Sequence, residues 1–316
     1  MAESYLIADI GATNARFRII NEFEDPRDLV LRTVDYGTSQ ELLMMAKAGL
    51  QIENLSGAML SVAGPVSQDG VSVVLTNSGH LFLAEELEEA LGCQVWFEND
   101  FVALAHGLDC FVELLQLGGD SKSGAVSAVL GPGSGLGMAT ILREENCLRV
   151  LASEGGHADF APGSHLESEI WSVLAMDSKY VSWETVLSGN GLVRLYEAVC
   201  QVWGSKCSNY KAEDITCLGV SLDDPICHQT LETFYGILGS AAGNFALTVG
   251  ALGGVYLAGS IVPATSDFAV KSPLRRRFEE KEALDQLLRK VPIFIIRDSS
   301  PGLIGVEQCL HKQLKC

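Results

Sequence analysis

The sequence predicts an α/β protein made of a duplicated unit, two lobes with a central cleft, and three observations carry that prediction. Strand, Gly-rich turn, strand, strand is written twice along the chain. Short buried apolar runs alternate with stretches of helical apolar spacing. The 316 residues suffice for two domains of roughly 100–200 residues each.

The first copy reads Tyr5–Ile10, the turn Gly11-Ala12-Thr13-Asn14, Ala15–Ile20 and Leu29–Val34. Gln40–Leu50 and Leu83–Leu91 have helical spacing, and Ala58–Val62 and Val95–Phe97 read as buried strands. Asn99-Asp100 follows the latter strand and opens an apolar helix, Phe101–Gly107. The second copy runs Val126–Leu130, Gly131-Pro132-Gly133-Ser134-Gly135, Gly137–Leu142 and Cys147–Leu151. Helices are expected at 165–175, 190–203, 211–218, 231–250, 276–290 and 303–314, with strands at 255–258 and 292–296. Thr233 to Ser266 carries no Asp, Glu, Lys or Arg, long enough on that count for a membrane span of ~20 residues. Gly253-Gly254 divides it and Asn244 lies in its first half, so a buried helix followed by a buried strand is the expectation.

Composition narrows the function. A formal net charge of −18 repels phosphate backbones and anionic membranes, so no nucleic-acid or membrane partner is expected. Nucleotide sites depend on local amides and magnesium, and remain open. The nine cysteines form no CxxC pair and are scattered, which suits reduced thiols in the cytoplasm, with no disulfide frame and no structural zinc. The first residues run straight into a strand without a basic-then-apolar leader, which also points to the cytoplasm.

Three Gly-containing turns border strands: Asp9–Asn14, Gly131–Gly137 and Gly253–Ser260. Glycine lets backbone amides approach phosphate oxygens, and Thr or Ser adds a hydroxyl donor. Each turn alone is also an ordinary hairpin, but two in equivalent places of a duplicated unit are suited to holding a triphosphate. With no Gly-Lys dipeptide, no strict GxGxxG after a strand and no HRD or DFG, the P-loop, Rossmann and protein-kinase readings lose support. Asn99-Asp100 is a helix cap or a general base at the carboxyl end of a strand. Phosphoryl transfer to an alcohol asks for little more than an aligned hydroxyl, a carboxylate to take its proton, and a held Mg-ATP. Glu154-Gly155-Gly156-His157-Ala158-Asp159 offers carboxylates, an imidazole and close backbone, which match vicinal sugar hydroxyls better than a metal. Glu184 looks by itself like a solvated helix residue.

These segments together resemble the bacterial glucokinase family of the actin-like sugar kinases. The resemblance covers nearly the whole chain: ADIGATNARF, FENDF, GPGSGLG, EGGHADFAP, VLSGNGLVRLY, GGVYLAGSIVP and PGLIG. It implies a duplicated actin-like (ribonuclease H-like) ATPase fold, with a small domain of 1–107 plus 298–316 and a large one of 108–297. It implies ATP-dependent phosphorylation of D-glucose to glucose 6-phosphate, with Asp100 as the catalytic base. Asn99, Asp100, Glu154, His157 and Glu184 would hydrogen-bond the hexose. Ala8, Asp9, Ile10, Gly11, Ala12 and Thr13 would hold the ATP phosphates with Gly133, Ser134 and Gly135, and Gly259 would lie near the adenosine. Asp9 would organise Mg²⁺ through water, and the chain would form a homodimer.

The family pattern is broken at three places. Ala12 stands where the family usually has Gly, and its methyl crowds the phosphates unless φ is negative. Ser260 replaces a second Gly beside the adenosine, and His80 replaces a Trp. A kinase for another hexose or an N-acetylhexosamine, and a non-catalytic sugar sensor on the same fold, are the alternatives. The zinc-binding cysteine cluster of the related repressor/kinase group is not visible, nor is there room for a helix-turn-helix before Tyr5.

Overall fold

The strand β1 (Ser4–Ile10) buries Leu6, Ile7, Ala8 and Ile10, so both its faces are covered, as a strand inside a sheet with layers on either side requires. The computed structural model to which it belongs describes residues 3–21, 24–76, 79–120, 126–144 and 147–315. The chain forms two compact units, Met1–Val112 with Asp298–Cys316, and Glu113–Arg297.

In the first unit β1 is followed by β2 (Asn14–Asn21), β3 (Glu24–Arg32), α1 (Ser39–Gly49), β4 (Gly57–Val62), β5 (Ser72–Val74) and β6 (Leu81–Leu83). Next come α2 (Ala84–Leu91), β7 (Gln94–Asn99) and α3 (Asp100–His106). The second unit holds β8 (Leu114–Leu117), β9 (Ser127–Pro132), β10 (Leu136–Glu144), β11 (Cys147–Ser153), α4 (His165–Asp177), α5 (Trp183–Val186) and α6 (Gly189–Val202). It continues with α7 (Ala212–Ser221), α8 (Pro225–Val249), β12 (Val255–Leu257), α9 (Ile261–Ala264), α10 (Ser266–Lys271), α11 (Leu274–Glu279), α12 (Asp285–Leu288) and β13 (Ile293–Ile296). The chain then returns to the first unit as α13 (Pro301–Gln313).

The duplication is visible in the sheets. The first has the order β3-β2-β1-β4-β7, the second β11-β10-β9-β12-β13, with β8 added at its edge. In each, three antiparallel strands are joined to two parallel ones. The first sheet is covered on one face by a core including Leu6, Leu42, Leu60 and Leu87. On the other face Ile7 and Met59 pack with Ala103 of α3 and Leu303, Val306 and Leu310 of α13. In the second unit α8 is the buried centre, capped by Asp224 with Pro225 at its first turn, and it starts six residues before the expected 231. Among the described residues no helix is long and apolar enough to cross a membrane. Gly239 and Gly243 serve packing inside the unit: a Cβ there would stand 2.2 Å from the Leu274 carbonyl and 2.6 Å from that of Phe278.

Two further expected elements differ. The helix at 276–290 is broken into α11, a 3₁₀ turn and α12. Glu282 takes a left-handed φ of 49°, which an α-helix does not admit, and Asp285 caps the Lys281 amide at 2.6 Å. The third strand ends at Arg32, two residues early, because Thr33 turns to bond the loop after β1. Strands β5, β6 and β8 are too short for periodicity to reveal them. Cys93, Cys110, Cys200, Cys207, Cys217, Cys227 and Cys309 are free thiols.

Candidate active site

In the first unit the parallel strands β1, β4 and β7 bring Asp9, Ser61 and Asn99 to one end of the sheet: Asp9 pairs with Ser61, and Val62 with Asn99. This is the carboxyl edge, where open α/β sheets place their ligands. The turn after β1 is closed by Gly11 N–H donating to Asn14 O at 3.0 Å. Thr33 fixes it from outside: its hydroxyl donates to Gly11 O at 2.8 Å and its amide to Thr13 O at 2.9 Å. Ala12 is not among the residues with positive φ, so its methyl causes no backbone strain and glycine is not required there.

Asp9 is half-buried, and Ser61 Oγ donates to its Oδ1 at 3.4 Å. Burial pushes its carboxylate up from the ordinary value, against the lowering pull of the Arg16 guanidinium and of Ser61. The N-terminus of α13 butts against it, for a Cβ on Gly302 would lie 2.1 Å from Asp9 Oδ2. A helix N-terminus favours a neighbouring anion. Sequence reasoning passed over Gly302, Ser61 and Thr33, although Pro301-Gly302 inside PGLIG is a readable helix start.

Of the two residues that could cap α3, Asn99 takes the N-cap position. Asn99 is the cap of α3: its Oδ1 accepts from Phe101 N–H at 3.0 Å and Val102 N–H at 3.2 Å. Its Nδ2 donates to Gly64 O at 3.1 Å, which locks the amide orientation. Asp100 is the first helical residue, half-buried, with Oδ1 accepting from Phe101 N–H at 3.0 Å. Asn99 thus meets both Phe101 N–H and Val102 N–H, and Asp100 shares the first of them.

In the second unit the turn Gly133-Ser134-Gly135 joins β9 to β10. Gly133 N–H donates to Gly135 O, and Gly189 N–H at the start of α6 donates to Gly133 O, both at 2.8 Å. A Cβ on Gly133 would meet nothing closer than Ser260 Oγ at 4.0 Å, so the fold leaves space above that residue. Gly259 has φ +83°, and a Cβ there would stand 2.2 Å from Pro132 O, so its turn lies directly against the Gly133 turn. Ser260 is exposed with φ −92° and ψ −27°, a conformation that needs no glycine.

Glu184 is the joint of this site. It sits on α5, whose first turn Ser182 and Thr185 close as a capping box. Its Oε2 accepts from Leu136 N–H at 2.7 Å, and a Cβ on Gly135 would approach that oxygen to 2.4 Å. Its Oε1 lies 3.9 Å from His157 Nε2. Far from being a solvated helix residue, Glu184 touches both the glycine turn and the EGGH segment. That segment is a 3₁₀ turn, Gly155–His157, and Gly156 must be glycine because a Cβ would lie 2.2 Å from Leu136 O. His157 and Glu154 are exposed, and the Tyr180 hydroxyl donates to His157 O. His80, in the first unit, bonds Tyr36 O through Nε2 at 3.0 Å and belongs to local packing.

A family model described as Glucokinase matches residues 6–313. Among curated relatives, the glucokinase of Chromobacterium violaceum is 38% identical over 314 residues, spanning 98% of this chain and 90% of its own length. That of Helicobacter pylori strain J99 is 37% identical over 328 residues, spanning 98% and 96%. A solved glucokinase from an Antarctic psychrotroph superposes with a TM-score of 0.82 at 32% identity, covering 98% of this chain and 99% of that one. A ROK family glucokinase from Streptomyces griseus, solved with glucose and AMPPNP, shares the fold at 19% identity, with a TM-score of 0.69 and coverage of 98% and 99%.

Proposed function

The chain belongs to the glucokinase family, and on that premise we propose that Asp100 is the general base of its reaction. The protein phosphorylates D-glucose to glucose 6-phosphate with ATP. The observation that carries the assignment is the division of labour at the head of α3. Asn99 satisfies the first helical amides, so a carboxylate at the next position is not needed to cap the helix.

In this reading Asp100 accepts the proton of the sugar 6-hydroxyl as its oxygen bonds to the γ-phosphorus, the bond to the β-phosphate oxygen breaks, and ADP leaves. Asn99, Glu154, His157 and Glu184 hold the remaining hydroxyls, with carboxylates accepting and imidazole and amide donating. Backbone amides of Gly11, Ala12 and Thr13, and of Gly133, Ser134 and Gly135, hold phosphate oxygens, with Ala8 and Ile10 framing the first turn. The open space above Gly133 supports phosphate approach there, since a side chain is what would obstruct it. Gly259, against the same turn, adjoins the adenosine. Mg²⁺ delivered with ATP supplies charge neutralisation at the phosphates. Asp9 fits such a cation, being a carboxylate driven up by burial, for which a nearby positive charge restores the ionised form. The reading extends to a homodimer working in the cytoplasm, and sedimentation at assay concentration tests the dimer.

The decisive substitution is Asp100→Asn in a coupled assay for glucose 6-phosphate. General-base catalysis contributes ~10²–10⁴-fold, so kcat falls at least ~10²-fold. The KM for glucose changes within about tenfold, and the melting temperature hardly moves, because Asn99 keeps the cap. A folded variant retaining more than about a tenth of wild-type kcat ends the assignment.

A further inference from the structure

Behind the head of α3, within the first unit, three donor side chains converge from distant parts of the chain. Glu98 is next to last in β7, His106 is the last residue of α3, and Cys309 lies in α13. The carboxylate, imidazole and thiol donor atoms all lie within 4.8 Å of one another. Local geometry explains the meeting. α3 and α13 approach so closely that a Cβ on Gly305 would stand 2.1 Å from the Ala103 carbonyl. Three and four residues on, one helical turn, the His106 ring and the Cys309 thiol face each other. Glu98 enters from the strand, its Oε1 accepting the Asn99 amide at 3.0 Å.

We propose that Glu98, His106 and Cys309 form a binding site for a zinc-class divalent cation, completed by water. Thiolate, imidazole and carboxylate are the ligand set that Zn²⁺ takes, whereas Mg²⁺ demands oxygen ligands and near-octahedral geometry. The site is thus chemically distinct from that of a nucleotide-bound Mg²⁺. Bonds of ~2.0–2.3 Å put tetrahedral ligands about 3.3–3.8 Å apart, so modest side-chain rotation brings the three donors onto one ion. Cys309 is 4% exposed and Glu98 and His106 are half-buried, which leaves an opening for the water. Binding replaces the thiol proton, which leaves to solvent as the sulfur–metal bond forms. Lys312 opposes the ion, since its ammonium acts on all three groups. It is exposed on α13, and its flexible stem lets the charge turn outward.

The sequence reading expects no resident zinc because no cysteine cluster or short ligand spacing exists. These ligands are spread from residue 98 to residue 309, and only the pairing of α3 with α13 unites them. A bound ion would cross-link β7, α3 and α13 around the segment that carries Asn99 and Asp100, and would stabilise the unit by mass action.

The test uses the full-length protein, reduced and stripped by chelator, titrated with Co²⁺ and then Zn²⁺. One equivalent of Co²⁺ is expected to give a thiolate-to-cobalt charge-transfer band with tetrahedral visible absorption, displaced by Zn²⁺, and Zn²⁺ raises the melting temperature. Cys309→Ala abolishes the band, and His106→Gln weakens binding at least ~10-fold, with circular dichroism verifying both folds. Absence of the band at one equivalent, or a band that survives Cys309→Ala, overturns the site.

Discussion

The turns after β1 and after β9 occupy the same place in two copies of one unit, yet they are held in different ways. The first is fastened by backbone and by Thr33, a residue just past the neighbouring strand. The second is fastened by a carboxylate, Glu184, and by the first amide of α6. Neither Ala12 nor any residue from Gly133 to Gly135 takes a left-handed backbone, so conformational freedom is not what the glycines supply. At Gly135 an added Cβ would displace the Glu184 carboxylate. The lesson is that a Gly-rich motif has to be read position by position. Gly133 leaves open space, Gly135 leaves room for a side chain of its own unit, and position 12 does not need glycine for its backbone.

Substitutions that strike the two units separately sharpen this contrast. After Asp100→Asn, the largest effect belongs to Asp9, also in the first unit. On the proposed role of Asp9 beside the nucleotide's cation, Asp9→Asn lowers kcat by ~10²-fold. The same change stabilises the apoprotein at neutral pH. Burial raises the folded carboxylate above its ordinary 3.8, so the stability held by its protonated form is complete below that pH and lost as pH rises through the folded value. Thermal denaturation without nucleotide or magnesium should show the Asp9→Asn variant gaining over wild type at pH 7 and losing that gain in acid. Equal melting temperatures across the range would mean that Asp9 is not strained by burial.

Gly135→Ala comes next and breaks the second turn's device. The methyl forces Glu184 away from the Leu136 amide, a hydrogen bond to a charged group worth ~1.5–3 kcal/mol. Steady-state kinetics should show the KM for glucose rising about tenfold or more, with a smaller rise for ATP. A rise for ATP alone would detach Glu184 from the sugar. Ala12→Gly is the smallest. With no strained φ at this position, ATP affinity by calorimetry stays within about twofold of wild type or improves slightly. A large loss with the fold intact would show that the methyl itself contributes to holding the turn.

Sequence alone determined the order of the longer elements, because the patterns that distinguish strand from helix are local. The short apolar run of β1 and the repeated strand–turn–strand pattern are properties of adjacent residues, and so the duplicated α/β plan was legible before any coordinates. The motif segments were legible for the same reason, each being contiguous. What only the tertiary structure decided are contacts between residues far apart in the chain. It oriented the capping amide of Asn99 by a bond to Gly64, 35 residues away. It drew Glu184 onto a turn 48 residues away, and set Gly302 against Asp9. It also split the helix expected at 276–290, where Glu282 adopts a left-handed φ. Propensity is read along the chain, whereas a carboxylate's partner is chosen by packing, and packing brings together Glu98, His106 and Cys309 without any spacing that a sequence could display.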